Sequence, residues 1–140
     1  MQQNFSTYNY LEHVFDAQSV PGSPTTLTSN PIDCKGREIG AVCLNVGAMV
    51  AGGTIDGHIE ESADGVTSWS PVALAVFPQI LAASGASKTY VGGLLLRNRL
   101  RFLRVVLTVT TSAALLSADF FKSYGKERPA TPTETVAFEV

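Results

Sequence analysis

Asp56, Glu60, Glu61 and Asp64 lie close together in the chain with His58 among them, and they form its one concentration of acidic side chains. Two carboxylates at working distance would suit glycoside hydrolysis, one giving a proton and the other acting as base or nucleophile. Several oxygens around a tight turn would suit calcium, but the glycine and late bidentate glutamate of a calcium loop are not at their required spacing. In an extended strand Asp56 and Glu60 point to one side and Glu61 to the other. A hydrolase built on Glu60 or Asp64 would therefore need a second carboxylate from elsewhere in the fold. The two histidines, His13 and His58, are far apart and stand in no spaced cluster with cysteines or carboxylates. A general base needs a nucleophile or second acid beside it, so His58 reads as a surface residue. No GxSxG, HExxH, GxxxxGK[ST] or GxGxxG pattern occurs. Trp69 and Tyr90 are the aromatic residues that could act as sugar-stacking platforms, although a lone tryptophan after a hairpin is more often a core plug whose ring N–H meets a local acceptor. The expectation is a chain with no catalytic residues, no metal ligands and no cofactor, and not an enzyme.

The elements that position these residues are strands. Between Thr54 and Ser62, Ile55 and Ile59 fall on one face and Asp56, His58 and Glu60 on the other, the two-residue period of a half-buried strand. Asp64-Gly65 then supplies a turn, because glycine adopts positive φ freely and an aspartate side chain bonds nearby backbone N–H groups. The segment brings Trp69 back along the preceding strand. In residues 100–110, Leu103, Val105, Leu107 and Val109 line one face, expected to be core, and Phe102, Arg104, Val106, Thr108 and Thr110 the other. Further strands are expected over 15–20, 25–33, 38–46, 66–73, 89–96 and 113–122. Val42, Leu44 and Val46 face inward, and Pro31 marks an edge because proline brings no N–H to a ladder. Residues 74–83 form a short apolar run with Pro78 in its middle, for which helix and strand are not distinguishable. Eight or nine short strands without a long helical pattern indicate an all-β chain, an antiparallel two-sheet sandwich of jelly-roll type. Residues 15–125 form the sandwich domain. An apolar N-terminal arm (1–14) precedes it, and an extended C-terminal arm (126–140), opened by Pro129 and Pro132, follows. Val136, Phe138 and Val140 restore alternation at the end, suited either to another chain's sheet edge or to an edge of their own sheet.

The composition is 45% hydrophobic and 16% charged, below the roughly 25% charged residues of an ordinary soluble domain, so less of the surface is defended by charge and a partner is expected. A net charge of −2 argues against nucleic acid, which calls for a concentrated basic footprint. Arg97, Arg99, Arg101 and Arg104 are the one basic run, and they read as a turn and strand edge kept soluble by charge. Cys34 and Cys43 lack a metal-binding pattern and are expected to be free thiols of a reducing compartment, with Cys43 a small buried hydrophobe in AVCLNV; a single bridge between them is the alternative. No apolar run approaches the ~18 residues of a membrane span.

Four stretches occur in an order that carries a resemblance: FDAQSV at 15–20, SNPID at 29–33, GHIEESADG at 57–65 with Trp69, and RFLRVVLTVT at 101–110. Together they resemble the jelly-roll cement (decoration) proteins on the outside of tailed-bacteriophage capsids, over about residues 15–125. The resemblance implies a non-enzymatic virion protein, made in the host cytoplasm, that clamps neighbouring major capsid protein subunits as a homo-oligomer, dimer or trimer. The segments before Phe15 and after Gly125 depart from that pattern. The apolar residues they carry, Phe5, Tyr8, Tyr10, Val136, Phe138 and Val140, are the candidate partner-binding side chains. The alternative is a carbohydrate-binding or structural module of a phage tail or head appendage.

Overall fold

Alternating aliphatic residues recur along most of this chain at the two-residue period of a strand, and burying those faces requires two sheets packed against each other. A computed structural model describes residues 9–124 and 135–140. Its strands are β1 (Asn9–Val20), β2 (Thr25–Thr28), β3 (Ile32–Asp33), β4 (Ile39–Met49), β5 (Thr54–Ser62), β6 (Ser70–Leu81), β7 (Lys88–Leu95), β8 (Phe102–Thr110), β9 (Ala114–Ser123) and β10 (Thr135–Glu139). One sheet has the order β1-β9-β4-β7-β10 and the other β2-β8-β5-β6, with β3 also on β8. The antiparallel pairs β5·β6, β4·β7, β2·β8 and β1·β9 are the successive rungs of one long hairpin, rolled so that they alternate between the sheets. That is a jelly roll. The hairpin's tip lies between β5 and β6, where Gly65 has φ 73° and the Asp64 carboxylate accepts the N–H groups of Val66 and Thr67, each at 2.9 Å.

The expected core face of β8 is confirmed: Leu103, Val105, Leu107 and Val109 are all buried. They meet Val42, Leu44 and Val46 from β4 and Leu116, Ala118 and Phe120 from β9 in one continuous cluster. Burying each large aliphatic side chain contributes roughly 1.5–3 kcal/mol, so a sandwich core of this kind needs no disulfide. Both cysteines are thiols, but Cys43 is not the buried hydrophobe expected. Cys43 alternates with the inward Val42 and Leu44 and so lies on the outward side, half-buried, whereas Cys34 is buried at the sandwich end.

Three expectations change. The ambiguous run 74–83 is mostly strand, since β6 continues through Pro78 to Leu81. Proline is tolerated because β6 is an edge and because Pro78 and Gln79 together face Asp56 in a bulge, between the pairs Ile55↔Ile80 and Gly57↔Phe77. The strand placed at 66–73 begins only at Ser70, the preceding residues being turn and loop. Finally, neither arm has its expected boundary. β1 starts at Asn9 and pairs with β9, and β10 lies parallel to β7 in the same sheet.

Candidate interaction surfaces

The acidic group identified from sequence is spread over one sheet and fully engaged. Glu60 and Arg104 face each other in the β5·β8 ladder, and the guanidinium donates to the carboxylate at 2.6 Å while His58 Nε2 lies 3.3 Å from its other oxygen. Burial raises the Glu60 pKa, but the hydrogen bonds from Arg104 and then His58 outweigh it and hold the group below the ordinary glutamate value. Asp56 accepts from the Gln79 amide, and Glu61 accepts the Leu100 backbone N–H at 3.0 Å. Asp64 is held well below the usual carboxylate range by the Thr67 hydroxyl and the Val66 and Thr67 N–H groups. Ser62, fully buried beneath this turn, lies within hydrogen-bond distance of both the Asp64 carboxylate and the Thr67 carbonyl, two acceptors for its single proton. Among the described residues no three His, Cys, Asp or Glu side chains gather as metal ligands would.

Neither aromatic considered for sugar stacking presents an open ring. Trp69 is half-buried rather than a core plug, and the Arg104 guanidinium lies over its ring at 4.3 Å. Tyr90 is buried, with its hydroxyl donating to the Gly85 carbonyl at 3.0 Å.

The candidate partner-binding residues divide. Phe5 and Tyr8 lie outside the described residues. Val136 lies opposite Val91 in the β10·β7 ladder. Tyr10 is half-exposed and stacks on Arg37, whose guanidinium is 4.3 Å from the Tyr10 ring and 3.9 Å from that of Tyr124. Phe138 and Val140 follow the alternative that the alternation left open, an edge of their own sheet. Phe138 is buried edge-on against Phe77, with ring centroids 5.0 Å apart, and Val140 packs against the same core. The Val140 N–H and carbonyl bond Gly93 and Leu95 of β7. The physical reason is that β7 offers an open edge to the strand, and Phe77 and the side-chain-free Gly92 leave room for the Phe138 ring.

Two further features leave no local signal in the residue pattern. His13 bridges two carboxylates, 2.8 Å from Asp119 through Nδ1 and 2.8 Å from Asp16 through Nε2, and these bonds, Asp119 first, raise its pKa. Asp119 is 106 positions away and only the β1·β9 register brings it near. Leu74 has φ 65° and is 80% exposed. A left-handed conformation is costly for a γ-branched residue and is expected where the surrounding structure imposes it.

The outward faces of the two sheets differ in charge. On β5 and β8 the outward residues include Asp56, His58, Glu60 and Arg104. On β9, β4 and β7 they include Leu115, Phe121, Ile39, Ala41, Val91 and Leu95, and Asp119 is the one charged side chain among them. The ladder pairs place Leu11, Phe121, Ala41 and Gly93 side by side across four strands. Leu11 is 68% exposed.

No family model matches the chain, and no curated protein matches it. Among solved structures the chain is similar to the PBSX exported protein XepA, with TM-score 0.60 and 13% identity over 96% of this chain and 43% of XepA. This chain therefore spans less than half of XepA, and at that identity the likeness is one of fold. Weaker similarities are to PirA (TM-score 0.43, 10% identity, 88% of this chain and 96% of PirA) and to the infectious bursal disease virus VP2 subviral particle (0.48, 11%, 84% and 33%).

Proposed function

We propose that this protein is a structural component of a bacteriophage virion that binds the outside of the capsid and cements neighbouring major capsid protein subunits. The observation that carries the reading is the outward face of β9, β4 and β7. A sheet face presenting Leu115, Ala41, Val91 and Leu95, whose one carboxylate, Asp119, is held by His13 of β1, is suited to being covered by protein. The exposed, strained Leu74 is a second contact point at another edge. The fold shared with a protein whose name ties it to PBSX agrees with this reading, as does the engagement of every carboxylate of the acidic group in a structural bond. Modest contacts suffice in such a role, because a shell repeats each of them many times. Attachment runs through the sheet face and Tyr10 rather than through a free C-terminal arm.

The test is sedimentation of the purified protein with cognate capsids stripped of it. Val91→Lys, on the apolar outward face of β9, β4 and β7, is expected to abolish co-sedimentation, whereas Thr108→Lys, on the outward face of the other sheet, leaves it intact. Equal binding by both variants rejects the surface. Failure of the wild-type protein to bind capsids at all, together with a dozen or fewer copies per particle, favours the appendage reading.

A further inference from the structure

Three of the four arginines of the basic run, Arg97, Arg99 and Arg101, gather with two further cations in three dimensions. At one end of the sandwich a cleft of about 390 Å³ opens between the turn joining β3 to β4 and the segment joining β7 to β8. Lys35, Arg37, Arg97, Arg99 and Arg101 line it, half of the ten lysines and arginines of a chain whose net charge is −2, and no acidic residue lines it with them. Cys34, Leu96 and Leu100 supply apolar wall, where charge-assisted hydrogen bonds are stronger than in water.

The five cations are not equivalent. Arg101 donates two bonds to Asp33, at 3.0 and 2.7 Å, and Arg97 lies 3.6 Å from Glu38. Lys35, Arg37 and Arg99 have no carboxylate partner among the described residues. Arg37 is held between the rings of Tyr10 and Tyr124. A guanidinium packed against two rings keeps its N–H edge for hydrogen bonding, and that is the edge that forks onto an oxyanion. Among the described residues two buried side-chain polar atoms have no hydrogen-bond partner, Arg37 Nη1 and Arg99 Nε. Both belong to side chains lining this one cleft. Charged donors buried without an acceptor are rare in folded proteins, and two in the walls of one cationic cleft call for an oxygen-rich anion.

We propose that this cleft is a binding site for a compact phosphate-type oxyanion, free or as a small phosphate ester, gripped by Arg37 and Arg99 with Lys35 adding charge. The site is independent of capsid attachment. A nucleic-acid backbone fits it less well, because consecutive phosphates would run on toward Asp33, Glu38 and Glu61, which flank the arginine run.

Titration calorimetry and thermal unfolding with inorganic phosphate and with glycerol phosphate, against potassium chloride at matched ionic strength, test it. Saturable binding of either probe, weakened at least tenfold in Arg99→Gln and in Arg37→Gln but unchanged in Lys88→Gln, is the expected result. Tighter binding of the ester than of free phosphate assigns the ester as the source, and the reverse assigns the free ion. Arg37→Lys, which keeps the charge and loses the fork, should also bind weakly, with circular dichroism confirming that each variant is folded. A response to phosphate no larger than to chloride overturns the site. So does binding of a short single-stranded DNA that depends on these arginines when neither small probe binds.

Discussion

The ring of Phe138 occupies the space where Gly92 has no side chain: a Cβ at residue 92 would lie 2.2 Å from the Phe138 ring. The two residues are register partners in the parallel β10·β7 ladder, and the missing side chain lets the last strand close over the core. Gly92→Ala is therefore expected to displace β10, and Phe138→Ala to cost about 3 kcal/mol as a truncated buried aromatic. Removing residues 135–140 should destabilise the domain rather than merely shorten it. Urea unfolding of the three variants checks this, and a truncated protein as stable as the full chain would return β10 to the role of a free arm.

Leu74→Gly should raise stability by about 1 kcal/mol, because glycine takes φ 65° without the steric cost a leucine incurs. The same substitution removes an exposed apolar side chain and should weaken capsid attachment. A stability gain with undiminished attachment would show that the exposed Leu74 side chain plays no part in attachment.

The His13 pKa is raised in the folded state by Asp119 and Asp16, so its contribution to stability is complete below the unfolded histidine value of about 6.5. That contribution is lost as pH rises through the folded value. The stability difference between the wild type and His13→Gln should be widest in mild acid and shrink above neutrality. It should also shrink with added salt, since the imidazole and Asp16 are exposed. A difference that grows with pH would mean that the contact does not depend on the charged imidazole.

Burial pushes the Cys34 thiol up to about 12, and thiolate is the reactive form. In a Cys43→Ser background the native protein should leave Cys34 unlabelled by a thiol reagent at pH 8 and label it fully in denaturant. Rapid native labelling would place Cys34 in an opening segment.

Trp69 is the chain's one tryptophan, so its fluorescence reports on the Arg104 contact. Arg104→Ala should uncover the ring and shift its emission to longer wavelength, and glycans should leave wild-type emission unchanged.

Strict alternation made β5 and β8 legible down to individual residues. The faces of Ile55, Ile59 and the four aliphatics of β8 follow from the two-residue period, and the turn between β5 and β6 follows from Asp64-Gly65 chemistry. β6 was not legible, because Pro78 and bulges that insert extra residues opposite β5 break the period on which such a reading depends. The features that join distant segments were least visible. His13 meets Asp119 only through a ladder joining distant segments, and Phe138 finds its place only through the pairing of β10 with β7. Arg97, Arg99 and Arg101 were plain as a run, but Lys35 and Arg37 join them only because the β3–β4 turn folds to the same end of the sandwich.

Asn9 pairs with Ser123, so the outermost rung of the roll joins residues more than a hundred positions apart. A nascent polypeptide cannot complete that ladder until Ser123 has been synthesised, and contacts of such separation make acquisition of the native state slow. Throughout that wait the aliphatic faces of β4 and β8 stand uncovered, so yield in recombinant expression should be governed by temperature and synthesis rate more than by the equilibrium stability of the finished roll.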